Sequence, residues 1–208
     1  MVEKRELPNI DILAEDNIRI LELPKARLPI PLVILLVGLP SSGKSELVKE
    51  LSQKFPLAIL SEENMLKFLA PNISFFERSE EKILSLATRT MEKLIVRRIS
   101  SVFDHSIKKR EYRDYIRRRI ESLGGKSVLI HINIPKGDAY KQVSKSNFEV
   151  TRGDKKGVII NKDLFEYEAA STQIPFQGEH HLIHKPQNPD SVNVIVEQVS
   201  KISGLARV

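Results

Sequence analysis

The spacing of apolar positions changes along the chain, and that change predicts its elements. Residues 32–37 (LVILLV) are a continuous apolar run, the pattern of a strand covered on both faces. A glycine-containing turn follows, and 45–55 reads as a helix. Residues 57–60 (LAIL) predict a short strand, with Ser61 placed to cap a helix over 62–69. A loop is expected over 71–79. Over 80–99, Ile83, Leu84, Leu86, Met91, Leu94 and Ile95 recur on one face of a long amphipathic helix. Residues 101–103 read as a strand, 109–123 as a basic helix closed by Gly124-Gly125, and 127–134 (SVLIHINI) as a strand ended by Pro135. Then come a helix starting near Asp138, a polar, glycine-punctuated stretch over 147–156, and a helix over 162–170. A late strand at 181–184 and a helix over 191–202 close the series.

Strands alternating with helices indicate a parallel sheet with right-handed crossovers. The expected fold is therefore a three-layer α/β/α domain over 32–208, its sheet mostly parallel, with a short lid near 141–160. Residues 1–31 stand apart as an N-terminal arm. Pro8, Pro24, Pro29 and Pro31 punctuate them, and IDIL and IRILEL predict short strands or extended chain, a hairpin or an edge addition.

Composition narrows the classes. A chain of 208 residues that is 41% hydrophobic and 29% charged has the make-up of a globular protein. It contains no cysteine, which excludes disulfides, thiolate metal sites and thiol nucleophiles and fits a reducing cytoplasm. The longest apolar run falls far short of the roughly 20 residues that cross a bilayer, and the acid-containing start does not read as a signal peptide. No membrane partner is expected. The net charge of +6 suits an anionic partner, whether nucleotide or nucleic acid, and suits plain solubility equally.

The candidate chemistry begins at the turn after the first apolar run. Gly38-Leu39-Pro40-Ser41-Ser42-Gly43-Lys44-Ser45 satisfies G-x-x-x-x-G-K-[ST] between an expected buried strand and a helix, the context that a phosphate-binding loop requires. Glycines at both ends allow backbone N–H groups to turn inward around phosphate oxygens, and the helix start adds partial positive charge. Lys44 is placed to reach the β- and γ-phosphates and Ser45 to ligate Mg²⁺. The candidate nucleotide contacts are Gly38, Pro40, Ser41, Ser42, Gly43, Lys44, Ser45 and Leu47, and the fold becomes a P-loop NTPase fold. Asp104, ending a short apolar strand, is either a second Mg²⁺ holder or an ordinary turn aspartate.

Other motifs bear on what the loop serves. Asn161-Lys162-Asp163-Leu164 approaches a guanine-binding N-K-x-D but lacks its final acid, and Asp104-His105-Ser106-Ile107 lacks the glycine of a GTPase switch. His105 stands where hydrolysing ATPases place a water-orienting Glu. The expected cofactors are ATP and Mg²⁺, and the expected chemistry is transfer of the γ-phosphate to a group other than water.

Four stretches carry a family resemblance: GLPSSGKSELVKEL, LSEENMLKFL, VFDHSIKKREYRDYI and NFEVTRGDKKGVIINKDLF…IPFQGE. Over about three quarters of its length the chain resembles the small P-loop kinases, AAA-domain predicted kinases related to polynucleotide 5′-hydroxyl kinases and zeta toxins. The resemblance implies a phosphotransferase acting on a hydroxyl, such as a nucleic-acid 5′ end, a nucleoside or a sugar. It implies Glu63 at the place of the family's catalytic Asp, although Glu62 and Glu63 also suit a capped helix start. The family's acceptor-gripping Arg is replaced by Leu66. Arg113 falls where the family has an Arg nine positions after the strand-end Asp, or is a solvated helix charge.

The lid is expected to bring a cation to the transferring phosphoryl group. Lys145 and Arg152 are the candidates, Arg152 the better because a guanidinium forks onto two oxygens, with Gly153 and Gly157 as hinges. The alternative is a mobile basic loop. Lys108, Lys109, Arg110, Arg113, Arg117, Arg118 and Arg119 form either a nucleic-acid face or a solvated one. His180, His181 and His184 alternate as a strand would and lack further ligands for a metal. A second function class stays open, an ATP-binding regulatory or RNA-binding module with little or no transfer activity.

Overall fold

Leu32–Val37 is a strand (β1), buried along its whole length. In the computed structural model, which describes residues 9–69, 80–154 and 158–205, it is the centre of a five-stranded sheet. The strands are β1, Leu57–Ser61 (β2), Ser100–Ser106 (β3), Lys126–Ile132 (β4) and Leu182–His184 (β5), in the order β2-β3-β1-β4-β5. Every pairing is parallel. The helices are Ile10–Ile20 (α1), Lys44–Lys54 (α2), Glu62–Leu69 (α3), Glu80–Val96 (α4), Arg110–Ser122 (α5), Lys136–Arg152 (α6), Lys162–Ser171 (α7) and Asp190–Ser203 (α8). The loop expected over 71–79 and the hinge at Gly157 lie outside the described residues.

The continuous apolar run has a two-sided use. Val33, Leu35 and Val37 join a core with residues of α1, α3, α4 and α5, while Leu32, Ile34 and Leu36 join one with residues of α2 and α8. Successive strand side chains point to opposite faces, so both parities must be apolar when both faces are covered. The result is the expected three-layer α/β/α arrangement. The amphipathic stripe of α4 is buried at Ile83, Leu84, Leu86, Met91, Leu94 and Ile95.

Two expectations are corrected. The N-terminal arm is not strand-like over 10–20 but is the helix α1, capped by Asn9, whose side-chain oxygen accepts from Asp11 N at 2.9 Å. Leu13, Ala14, Asn17 and Ile18 are its buried residues, at helical spacing, and pack against α4. Asn17 donates to Thr90 Oγ1 at 3.2 Å, and Glu15 pairs with Lys93 at 3.0 Å and Arg97 at 2.6 Å. The short apolar groups IDIL and IRI fit either period, and burial against α4 decides for the helix. The second correction is at 147–156. The helix α6 continues through Asn147 to Arg152 and stops at Gly153, which caps it at φ 79.

Among the described residues no helix is long and apolar enough to cross a membrane. Because α1 shares the core of the main domain, it should unfold with it. Ile18→Ala, at a site 3% exposed, is expected to lower stability by about 2–4 kcal/mol. Urea unfolding should remain a single transition whether followed by far-UV signal or by a probe on α4.

Candidate active site

The glycine loop joins β1 to α2 and is folded for anions. Ser41 (φ 55) and Gly43 (φ 98) both take the left-handed conformation, which alternates the backbone hand and turns N–H groups to one side. A Cβ at Gly38 would lie 2.9 Å from Ser42 Oγ and 3.1 Å from the Ile132 backbone oxygen, so any side chain there would crowd both. The buried Ser42 hydroxyl has no hydrogen-bond partner. Lys44 folds back on the loop and donates to the carbonyls of Leu39 (2.7 Å) and Gly38 (3.3 Å). Burial of its ammonium pushes its pKa down to about 8, against the opposing pull of Asp104, Glu168 and Glu46.

Strand order puts the second acid beside this loop. No strand intervenes between β1 and β3, and Ser45 Oγ donates to Asp104 Oδ1 at 3.0 Å. Burial raises the Asp104 carboxyl above its ordinary pKa, although Ser45 and Lys44 favour its charge. The register between β1 and β3 slips after Ile34, and Ser106 Oγ accepts from Gly38 N at 3.1 Å, locking the strand end to the loop. A hydroxyl and a desolvated carboxylate at 3.0 Å, beside a loop with an orphaned hydroxyl and a lysine bonded only to its own backbone carbonyls, suit a magnesium–nucleotide.

Two cavities flank the loop. One, of about 420 Å³, is lined by Ser41–Glu46 and by Gln142, Lys145, Ser146 and Glu149 of α6. The other, of about 480 Å³, shares Ser41, Ser42, Gly43 and Glu46 and is walled by Leu47, His184, Pro186, Pro189 and Val192. Leu47 is a buried core residue that also faces this second cavity, and Pro40 lines neither. The second wall comes from the β5–α8 connection, which no sequence motif marks.

The lid candidates separate. Lys145 is on the cavity-lining stripe of α6. Arg152 continues that stripe beyond Glu149 but lies outside the lining, where it pairs with Asp154 at 3.2 Å and stacks over Phe148 at 5.6 Å. Asn147 pins the returning chain by accepting from Ile160 N (2.9 Å) and donating to Ile160 O (2.8 Å). Asn161 caps α7 by accepting from Leu164 N at 2.8 Å, which explains the near-match to a guanine motif structurally.

Arg113 is corrected from a substrate contact to a buried anchor. It forks onto Glu179 at 2.7 and 2.8 Å, both side chains 0–1% exposed, and donates to the carbonyls of Ile107 and Lys108. Burial favours the neutral acid at Glu179, yet the guanidinium outweighs it and holds that carboxyl below its ordinary pKa. Thus two stretches of the resemblance, around Arg113 and Glu179, meet as one ion pair that ties α5 to the chain before β5, while the two carbonyl bonds tie it to the end of β3.

Other cations of the basic run are also committed. Lys108 bridges Glu168 (2.7 Å) and Glu80 (3.3 Å), Arg110 pairs with Asp114 (3.2 Å), Arg119 with Glu92 (2.5 Å), and Arg117 donates to the His180 carbonyl. His181 Nδ1 contacts the Glu179 carbonyl oxygen and His184 Nδ1 the Ser191 hydroxyl, and among the described residues no metal-binding cluster of three or more ligands occurs.

At the ends of β2 and β3 two adjacent glutamates differ in what they meet. Glu63 is exposed, whereas Glu62 Oε2 meets His105 Nδ1 at 2.8 Å. The family resemblance points to Glu63. The signal for Glu62 lies in the register, which pairs Ser61 with Asp104 and so sets the next residue of each strand side by side.

With a parallel sheet, a phosphate loop and a neighbouring strand-end acid, the molecule is of the P-loop nucleotide-binding class. Residues 33–153 match the family model described as an AAA domain, and the chain belongs to that family. A search of curated proteins gives no match. Among solved structures it is similar to Chaetomium thermophilum Kti12 in complex with ADP-AlF3, at TM-score 0.65 and 12% identity, covering 85% of this chain and 100% of that one. A sugar kinase from Janibacter sp. aligns at TM-score 0.58 and 16% identity, covering 86% and 96%. The Mycobacterium tuberculosis APS kinase CysC, in complex with AMPPNP and APS, aligns at TM-score 0.54 and 15% identity, covering 84% and 98%. The fold is therefore that of the small P-loop kinases.

Two outcomes are expected from these contacts. A lysine held below its ordinary pKa binds fewer protons folded than unfolded, so its contribution to stability rises from pH about 8 towards 10.5. Lys44→Met should therefore raise the thermal midpoint of the nucleotide-free protein at pH 7, with a gain that shrinks towards pH 10, the ordinary lysine range. Glu179→Gln should lower urea stability by about 3–5 kcal/mol by leaving Arg113 charged and unpaired, and Arg113→Met/Glu179→Leu should lose much less.

Proposed function

We propose that the protein is an ATP-dependent phosphotransferase that moves the γ-phosphate to a hydroxyl acceptor. The observation that carries this reading is the 3.0 Å contact between Ser45 and Asp104, made beside an intact phosphate loop. The loop amides and Lys44 bind the phosphates, and Lys44 exchanges its two backbone carbonyls for phosphate oxygens. Ser45 and Asp104 hold Mg²⁺, which neutralises phosphate charge. Lys145 supports the outer phosphates from α6, and the nucleoside occupies the cavity walled by His184, Pro186, Pro189 and Val192. The acceptor approaches from the ends of β2 and β3. There is no guanine motif, which favours ATP over GTP.

A second reading is a nucleotide-switched binding module. Two exposed arginine–aromatic stacks favour it, Arg110 over Phe176 at 4.4 Å and Arg152 over Phe148 at 5.6 Å, since such pairs suit docking on RNA bases or a protein partner. It calls for salt-sensitive RNA binding that changes with ATP and gives no labelled product.

Calorimetry should register binding of MgATP that Lys44→Ala weakens. Labelled-phosphate transfer should then be followed with glycerol, glucose, ribose, uridine and a 5′-hydroxyl oligonucleotide as acceptors. Lys44→Ala should lower turnover by about 10²–10³-fold. Binding of MgATP without turnover on any acceptor or on water would overturn phosphotransfer and favour the second reading.

A further inference from the structure

We propose that Glu62, and not Glu63, takes the proton of the acceptor hydroxyl, and that His105 is the positioning residue that holds Glu62 for this task. The inference rests on the phosphotransfer reading above and assigns the acceptor side of the same site.

The placement follows from register. β2 and β3 pair in parallel up to Ser61 opposite Asp104. Neighbouring strands lie about 4.8 Å apart, so the residue after each of these sits close to the other. These residues are Glu62, the first of α3, and His105, and their side chains meet at 2.8 Å. Asp104, one residue before His105, bonds Ser45 in the loop. Glu62 is thus one strand over from the metal-side acid, with Lys44 and Lys108 close enough to act on its charge. The His105 hydrogen bond leads the influences that hold this carboxyl below its ordinary pKa.

The imidazole that meets Glu62 is largely buried, its side chain 14% exposed. The imidazole packs against Phe103 with ring centroids 5.4 Å apart, its Nε2 is buried without a partner, and it sits in a strand paired on both sides. Nδ1 therefore fixes one carboxylate oxygen, Oε2. Glu63, one residue on, projects from another azimuth of α3. In the transfer step the acceptor O–H proton passes to Glu62 Oε1 and the acceptor oxygen bonds to Pγ. The bond from Pγ to the β,γ-bridging oxygen breaks, and its electron pair leaves on ADP.

The test compares variants in the transfer assay, with the best of the five acceptors or with water where hydrolysis is the turnover seen. Glu62→Gln, isosteric but unable to take the proton, should lower kcat by about 10²–10⁴-fold. Glu63→Gln should change it by no more than about twofold, as an exposed substitution does. His105→Ala should lower kcat about tenfold or more through misplacement, with the KM for ATP unchanged, and His105→Asn, which keeps a donor near the Nδ1 position, should recover part of it. Independently of turnover, long-range ¹H–¹⁵N spectra should show a hydrogen-bonded Nδ1–H on His105. That signal should be lost in Glu62→Ala and kept in Glu63→Gln.

Turnover that Glu62→Gln leaves intact, a larger loss in Glu63→Gln, or an Nδ1–H signal indifferent to Glu62→Ala would overturn this assignment alone. MgATP binding with no turnover at all would remove the phosphotransfer reading and this assignment with it.

Discussion

The whole site depends on β1 and β3 being immediate neighbours. A parallel pair brings equivalent chain ends to the same edge of the sheet, so the phosphate loop after β1 and the acid near the end of β3 emerge side by side. One further strand would move Asp104 about 4.8 Å away and leave Ser45 without its partner. The slip in register after Ile34 completes the fit, because it lets Ser106 reach the Gly38 amide. Three neighbouring strand ends thus hold the loop, Asp104 and Glu62 in order across the sheet.

A second constraint is the ion pair between Arg113 and Glu179. A charged pair this deeply buried is weak support for stability by itself, because desolvation offsets much of the attraction. Its positional effect is clearer. Arg113 also holds the carbonyls of Ile107 and Lys108, so it fixes the chain just after the strand that carries Asp104 and His105. Lys108 then reaches Glu80 on α4 and Glu168 on α7 at once. Several charges that form a basic stripe in the sequence act in the fold as internal ties, Lys108 and Arg119 between helices and Arg113 to the chain before β5.

Much of the fold was legible because its signals are local. Burial on both faces writes a continuous apolar run, helix burial writes a stripe, and the glycine loop needs particular backbone torsions at fixed spacing. Glycine at 38 and 43, lysine at 44 and serine at 45 follow from those needs alone. Local signals mislead where they are short or shared. IDIL fits two periods until α4 covers one face of it, and the polar turns of α6 look like loop because their partners are a cavity and solvent.

The amino-acid sequence by itself determined the alternation of strands and helices, the covered sheet and the phosphate loop, since each depends on residues adjacent or one helical turn apart. Tertiary structure alone decided which of two neighbouring glutamates meets His105, that Arg113 is a buried anchor, that Lys145 rather than Arg152 lines the cavity beside the loop, and which residues of the β5–α8 connection wall the second cavity. Those choices depend on strand register and on contacts between residues far apart in sequence, such as Arg113 with Glu179 or the 38–45 loop with Pro186. No local pattern records a distance that only packing sets.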